Sequence, residues 1–227
     1  PNYKCFKALV VITNALKTYY STNYRQFHRH IYVAPDGAEP VPVQTCLRSV
    51  QLPNNIGSRM KVGYFGHLYK GRGIEIIIDL AERCDWADFH IFGGRQEDIE
   101  YWNNILVERK NIFLHGFVYP SEVIQYRNSL HVLLAPYQKK VFVSSGRSET
   151  SKWMSPLKIF EYMSFCKPII CSDLPVLREV LEHEKNALLC SPDDVQSWER
   201  SLIRLRDDAN LMQVLGGQAY EDFMKHY

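Results

Sequence analysis

Met60-Lys-Val-Gly-Tyr-Phe-Gly-His-Leu-Tyr-Lys-Gly-Arg-Gly-Ile-Glu75, with its continuation to Gly94, decides the fold. Lys61 to Phe65 is a short apolar strand that stops at Gly66. Gly73 to Arg83 reads as a helix, because Ile74, Ile77, Ile78 and Ala81 recur at the three- and four-residue spacing of one helical face. Phe89-His-Ile-Phe92 is a second strand, closed by Gly93-Gly94. Continuously apolar strands separated by amphipathic helices are the pattern of a parallel sheet covered on both faces.

The same alternation continues to the end of the chain. A helix is predicted from about Glu97 to Val107, and a strand from Asn111 to Leu114 that runs into His115-Gly116. Ser121-Glu-Val-Ile opens a helix, and His131 to Ala135 is a strand. A polar loop over 137–154 leads to a helix capped by Ser155, with Pro156 in its first position, and Pro168 stops that helix after Lys167. Leu157, Phe160 and Ser164 share one face of it. A strand at 169–171, a helix from Leu174 to about Leu181 and a strand from Ala187 to Cys190 follow. Pro192-Asp-Asp-Val starts another helix, and 208–227 is helical. Six such strands predict a doubly wound, Rossmann-like α/β domain over 60–227, with ligands held outside the carboxyl ends of the strands. Upstream, 6–12 reads as a strand, Thr13-Asn14 caps a helix through about Tyr20, and His30 to Val33 is a further strand. A domain boundary is placed near residue 40, and 41–59 is read as a linker.

Composition narrows the partners. The chain has 227 residues, 46% hydrophobic, and a net charge of +2, which gives no electrostatic case for nucleic acid or a membrane surface. Cys5, Cys46, Cys84, Cys166, Cys171 and Cys190 are scattered without a C-x-x-C pair, so reduced thiols of a cytosolic protein are expected rather than a disulfide framework or a zinc site.

Three stretches carry chemistry. Gly66-His67-Leu-Tyr-Lys70-Gly-Arg72-Gly73 sits at a strand end with glycines that let backbone approach a ligand. There Arg72 can grip a diphosphate through two donors and Lys70 acts as a point charge. The other reading is a basic, flexible turn. The amino end of the helix at Ser155 to Glu161 attracts anions, and Glu161 accepts hydrogen bonds from whatever carries the phosphate. The other reading is ordinary capping with a solvent-facing glutamate. Gly93-Gly94 and Gly116-Phe117-Val118 form either a slot for a flat base or two tight turns. His90 and His131 read as packed within strands, whereas His67 and His115 stand at strand ends. Trp153 borders the site. No metal cluster, Ser-His-Asp arrangement or pair of catalytic carboxylates is evident.

Val62-Gly-Tyr-Phe-Gly-His-Leu-Tyr-Lys-Gly-Arg-Gly-Ile-Glu75, Phe92-Gly-Gly, Gly116-Phe-Val, Val132-Leu-Leu-Ala-Pro136, Ser155-Pro-Leu-Lys-Ile-Phe-Glu-Tyr-Met163, Lys167-Pro-Ile-Ile-Cys-Ser-Asp173 and Arg178-Glu-Val follow one another in the order found in a known family. From about residue 60 onward the chain resembles the C-terminal domain of retaining glycosyltransferases of the group 1, GT4-like family. Residues 6–37 resemble the last strand, helix and strand of that family's N-terminal domain. The resemblance implies the C-terminal half of a GT-B fold plus a remnant of a largely missing N-terminal domain, 1–40. It implies a donor domain, 60–227, that binds a nucleotide diphosphate sugar of the UDP or GDP type.

Residue by residue, Arg72 matches the basic residue that grips the diphosphate, and His67 stands where an arginine is common. The backbone of Leu157 and Lys158 matches the phosphate cradle, and Glu161 matches the second glutamate of an E-x7-E motif, which holds the ribose hydroxyls. Gly66, Gly93, Gly94, Phe117, Val118 and Ser155 complete the expected donor site. Two departures stand out. Trp153 occupies the place of the first glutamate, which contacts the donor sugar, and Cys166 stands where the family often has glycine. The implied activity is metal-independent transfer of a hexosyl group, with retention, from the donor to an acceptor hydroxyl. Arg72, Lys70 and the helix end at 155–158 stabilise the leaving diphosphate. No cofactor is expected beyond the donor itself. The acceptor is a glycan, a lipid-linked sugar or a small molecule. The expected place is the cytoplasm, peripheral to the inner face of a membrane where the missing domain supplies that association. The donor half alone is expected to bind nucleotide weakly and to be inactive. A nucleotide-sugar 2-epimerase on the same fold and a non-catalytic nucleotide-binding or scaffold module are the alternatives. An NAD-dependent dehydrogenase is disfavoured because no G-x-G-x-x-G follows Phe65.

Overall fold

A computed structural model describes residues 7–24, 30–42, 59–106, 108–142 and 149–227. Six parallel strands form the main sheet: β3 (Met60–Phe65), β4 (Ala87–Phe92), β5 (Ile112–Gly116), β6 (Val132–Ala135), β7 (Ile169–Ser172) and β8 (Leu188–Cys190). Their spatial order is β5-β4-β3-β6-β7-β8. The chain therefore adds strands outward from β3 in one direction, returns to β6 on the other side of β3, and continues the opposite way. That reversal opens a crevice beyond the carboxyl ends of β3 and β6. Upstream, β1 (Leu9–Val11) and β2 (Ile31–Val33) form a separate parallel pair bridged by α1 (Asn14–Asn23).

The apolar runs are continuous because both faces of the main sheet are buried. Along β3, Met60, Val62 and Tyr64 point into one core layer, with α2 (Ile74–Arg83), α3 (Gln96–Leu106) and α6 (Val195–Asp207). Phe65 points into the other, with α4 (Pro120–Asn128), α5 (Leu157–Met163) and α7 (Ala209–His226). Along β6, Val132 and Leu134 join the first layer, and Leu133 and Ala135 the second. Each fully buried Leu, Ile or Phe in these layers contributes roughly 1.5–3 kcal/mol of transfer free energy. Gly63 leaves room for the Leu130 side chain, whose Cδ1 would lie 2.2 Å from a Cβ there and would have to shift.

The doubly wound α/β class read from the sequence is the one observed, and two elements differ from expectation. The helix expected from Ser155 to Lys167 spans only Leu157–Met163. Pro156 holds the N-cap position with no side-chain cap, and Ser155 Oγ is buried without a hydrogen-bond partner instead of capping. The helix stops before Pro168 because Ser164 Oγ bonds back to the Glu161 carbonyl at 2.8 Å and Cys166 turns into the left-handed region at φ 52°. Gly216 of α7 makes room for that turn, since a Cβ there would meet Cys166 O at 2.3 Å. Of the three residues placed on one face, Leu157 is exposed, whereas Phe160 and Ser164 are buried. The helix expected over Leu174–Leu181 is a single 3-10 turn at Leu177–Glu179. Asn186 fixes the reversal that follows, accepting from Glu182 N at 2.8 Å and donating to Val180 O and Asp222. Most of the expected linker, 43–58, and Cys5 and Cys46 lie outside the described residues. Cys84, Cys171 and Cys190 are buried free thiols.

One carboxylate ties the two sheets' segments together. Glu179 Oε2 accepts from Asn14 N at 2.6 Å and from Asn14 Nδ2 at 3.3 Å, and Oε1 accepts from Ala15 N at 2.9 Å. A negative side chain on the open N–H groups of α1 is favourable, because those groups carry the positive end of the helix dipole. Tyr19, further along α1, meets the Trp153 ring at a centroid distance of 5.1 Å. Glu179→Gln is expected to weaken the attachment of α1 by about 1 to 2 kcal/mol. Hydrogen exchange should then accelerate at α1 amides and stay unchanged in β3, β4 and β6; unchanged exchange at α1 would show that Glu179 is not the attachment.

Candidate functional site

The carboxyl ends of β3, β4 and β5 are held together backbone to backbone. Gly66 N donates to Phe92 O at 2.9 Å, and Gly93 N donates to Gly116 O at 2.6 Å. Gly93 has φ 111°, and a Cβ on it would lie 2.3 Å from Gly66 O, so only glycine fits. These turns line a cavity of about 330 Å³ together with Phe65, Phe92, Phe117, Val118 and Arg127. The Phe65 and Phe92 rings stack at 4.4 Å, 8° from parallel, and Phe117 is exposed. Gly66, His67, Gly93, Gly94, Phe117 and Val118, which the sequence offered as separate turns, are thus brought to one largely apolar cavity.

Beside it, across β3 and β6, lie two cations. Arg72 Nη2 donates to Tyr69 Oη at 2.6 Å, and its guanidinium stands 4.8 Å from the Tyr69 ring and 5.7 Å from the Tyr137 ring. Its Nε is buried with no hydrogen-bond partner. Lys158 Nζ lies 3.8 Å above the Tyr64 ring and 5.1 Å from the Tyr137 ring. Burial, and next the charge of Arg72, hold the Lys158 ammonium well below the ordinary lysine pKa. Among the described residues neither cation takes an ion pair. Two like charges facing each other over apolar rings are relieved by an anion placed between them. The N–H groups of Leu157 and Lys158, in the first turn of α5, make no backbone hydrogen bond among the described residues. His67 stacks on Tyr69 at 5.1 Å. Partial burial, then Arg72, Lys158 and Arg95, hold its imidazole below the ordinary histidine range, so it adds little positive charge at neutral pH. Lys70 is exposed on the same loop.

Glu161 forms an ion pair with Arg127 at the far side of the flat cavity. Its side chain is 45% exposed, against 8% for Arg127, so the carboxylate remains reachable. Sequence reasoning missed Arg127, along with the ring platform of Tyr64, Tyr137 and Tyr162. The Tyr162 hydroxyl accepts from Phe65 N at 2.8 Å. Burial pushes all three tyrosine hydroxyls above their ordinary pKa, so they remain protonated. The available signal for Arg127 was its spacing: Val123 and Arg127 are four apart on α4 and share a face.

Trp153 packs on Tyr19. Glu149, the nearest upstream carboxylate, accepts from Ser151 Oγ at 2.6 Å. His131 Nδ1 accepts from Lys61 N at 2.8 Å and takes no part in the cavity. His115 is likewise structural: its Nε2 meets His90 Nδ1 at 3.0 Å, and its ring stacks on Phe92 at 4.3 Å behind the cavity. Among the described residues no group of three or more His, Cys, Asp or Glu side chains could hold a metal ion. None of the described helices is long and apolar enough to cross a membrane.

The comparisons agree with this architecture. Residues 59–208 match the family described as glycosyl transferases group 1, and the chain belongs to that family. It is 22% identical over 223 residues to an uncharacterized glycosyltransferase of Methanocaldococcus jannaschii, covering 96% of this chain and 53% of that relative. The chain thus spans about half the length of the curated relative it matches. Its structure resembles Anabaena HepE in complex with UDP and glucose, with a TM-score of 0.74 and 16% identity, over 99% of this chain and 60% of HepE. It also resembles sucrose-phosphate synthase from Thermosynechococcus elongatus, with a TM-score of 0.73 and 16% identity, over 97% of this chain and 54% of that one.

Burial drives the pKa of His90 down to about 3 and that of His115 to about 4. The unfolded histidines titrate near 6.5, so below that pH the unfolded state binds more protons. The pair's contribution to stability is therefore complete above about pH 6.5 and declines as pH falls toward 4. Denaturant titrations across this window should show His115→Phe reducing the pH slope by about one proton; an unchanged slope would exclude the neutral pair as its source.

Proposed function

We propose that the chain is the donor-binding part of a glycosyltransferase that moves a hexosyl group, with retention, from a nucleotide diphosphate sugar to an acceptor hydroxyl. The observation that carries this reading is the meeting of Arg72 and Lys158 at the strand reversal, without carboxylate partners among the described residues, beside a largely apolar, aromatic-lined cavity. A base fits between Phe117 and the Gly93-Gly94 turn, and Glu161 takes the ribose hydroxyls. The diphosphate lies between Arg72, Lys158 and the first N–H groups of α5. As the glycosidic bond to the diphosphate breaks, negative charge grows on the leaving oxygen. Arg72, already fixed in place, stabilises that charge without reorganising, and the anion favours the protonated form of Lys158 beside it. They do the work that a metal ion does elsewhere, so transfer is proposed to need neither metal nor further cofactor. Lys70, exposed on the loop after β3, adds long-range attraction. The UDP named in the HepE structure makes UDP the first nucleotide to test, and GDP the second. The acceptor, whether glycan, lipid-linked sugar or small molecule, is proposed to bind to the partner domain that the longer relatives have room for.

Trp153 favours a second reading, a non-catalytic nucleotide-binding module, because an aromatic ring packed on Tyr19 stands where the family resemblance expects a sugar-binding carboxylate. Nucleotide affinity is common to both readings, and sugar transfer by the longest available form of the protein separates them.

Arg72→Ala is expected to weaken UDP or GDP binding about tenfold to a hundredfold, the range for losing hydrogen bonds to a charged group. Isothermal calorimetry with and without EDTA checks both the site and the metal independence. Unchanged affinity in a folded Arg72→Ala variant would move the diphosphate elsewhere, and loss of binding in EDTA would reinstate a metal.

A further inference from the structure

Arg127 has no role in the reading above, yet it occupies the junction of two cavities. It lines the flat cavity of about 330 Å³ and also a neighbouring one of about 570 Å³, which contains Glu161 and the segment Gly37–Pro42. The residue is 6% exposed. Its guanidinium lies among three rings, 4.9 Å from Phe65, 5.0 Å from Phe165 and 5.6 Å from Tyr162. This packing fixes the plane and position of the charge.

A buried cation in such surroundings is not explained by stability. Its Nε is buried without an acceptor. Desolvating a guanidinium is costly, and buried ion pairs are often replaced by apolar residues at no loss. A methionine would fill the space among these rings as well. The charge therefore has a use, and the group it touches is Glu161. Nη2 donates to Oε2 alone, and Oε1 takes no hydrogen bond among the described residues. One carboxylate oxygen is committed and the other is presented to the cavity.

We propose that Arg127 is the positioning residue that fixes Glu161 for a vicinal diol, a statement that rests on the nucleotide reading of the site. The guanidinium sets the rotamer of Glu161 before ligand arrives, so the diol meets an oriented acceptor. The freedom that a half-exposed glutamate would otherwise lose on binding is already removed. Because Arg127 lines both cavities, it also fixes the distance from the flat slot to the diol acceptor.

The test uses the 227-residue chain with UDP, GDP and their 2′-deoxy counterparts in calorimetric titrations, and Arg127→Met, Arg127→Lys and Glu161→Gln beside the parent. The parent should prefer the ribonucleotide by about tenfold or more, as for a hydrogen bond to a charged group. Arg127→Met should bring that preference close to one while changing deoxynucleotide affinity by less than about twofold. Arg127→Lys should restore part of the preference, and thermal denaturation confirms that the variants fold. Equal losses for ribo- and deoxynucleotide in Arg127→Met would overturn the proposal in favour of a purely structural arginine. Tighter ribonucleotide binding by that variant would also overturn it, by making Arg127 a competitor for Glu161. If Glu161→Gln abolishes the preference and Arg127→Met does not, the proposal fails while the nucleotide reading stands. If the parent binds neither nucleotide, the nucleotide reading itself fails and the proposal with it; if it binds them without preference, the proposal fails while the nucleotide reading stands.

Discussion

The close approach of three strand ends is the constraint on which the rest of the site depends. Gly66, Gly93 and Gly116 adopt φ of 145°, 111° and 73°, and two backbone hydrogen bonds join their turns in series. A side chain at Gly93 would overlap Gly66 O. Because the turns lie this close, the loops after β3, β4 and β5 leave the sheet together, and the buried Phe65 and Phe92 rings lie against the cavity between them. Behind the slot, the His90 and His115 rings continue the same stack, so the floor is rigid. The cavity is thus a consequence of backbone geometry more than of the side chains that line it.

Much of the fold was legible because burial on both faces removes the ambiguity of strand patterns. Val62-Gly-Tyr-Phe65 and Val132-Leu-Leu-Ala135 read as strands without any alternation, since no face of either meets water. The errors concern helix ends, where a local rule competes with packing. Ser155 has the chemistry of an N-cap, but the backbone at Pro156, φ −87° and ψ 64°, starts the helix one residue later. Pro168 has the chemistry of a stop, but Cys166 had already turned left-handed against Gly216, a contact 50 residues away in sequence. Leu174–Leu181 has helical spacing, yet the reversal held by Asn186 leaves room for one turn.

In the site, residues adjacent to a strand end could be found by position, and residues that reach it across the fold could not. His67, Arg72 and Gly93 follow directly from where β3 and β4 stop. Tyr64, Tyr137 and Tyr162 come from β3, the loop after β6 and α5, and nothing local distinguishes them from core aromatics. Arg127 lies in the last turn of α4, where a basic residue is unremarkable beside the helix dipole. Only the fold brings it under Phe65 and against Glu161.

The pairing choices on α5 show how the site keeps both signs of charge without cancelling them. Lys158 and Glu161 are three residues apart on the same helix, a spacing at which a lysine and a glutamate ordinarily pair. Here they do not. Lys158 swings over the Tyr64 ring toward Arg72, and Glu161 turns to Arg127 on α4. If Arg127 were absent, the nearest cation on the same helix would be Lys158, and a local ion pair would neutralise the anion-binding side of the crevice. A second, buried arginine on the opposite side satisfies the carboxylate and keeps Lys158 available. The local charge is therefore divided in space, positive at the strand reversal and balanced beneath the slot. Under the proposed function, that division lets one short helix face a ligand that is anionic at one end and a neutral diol in its middle.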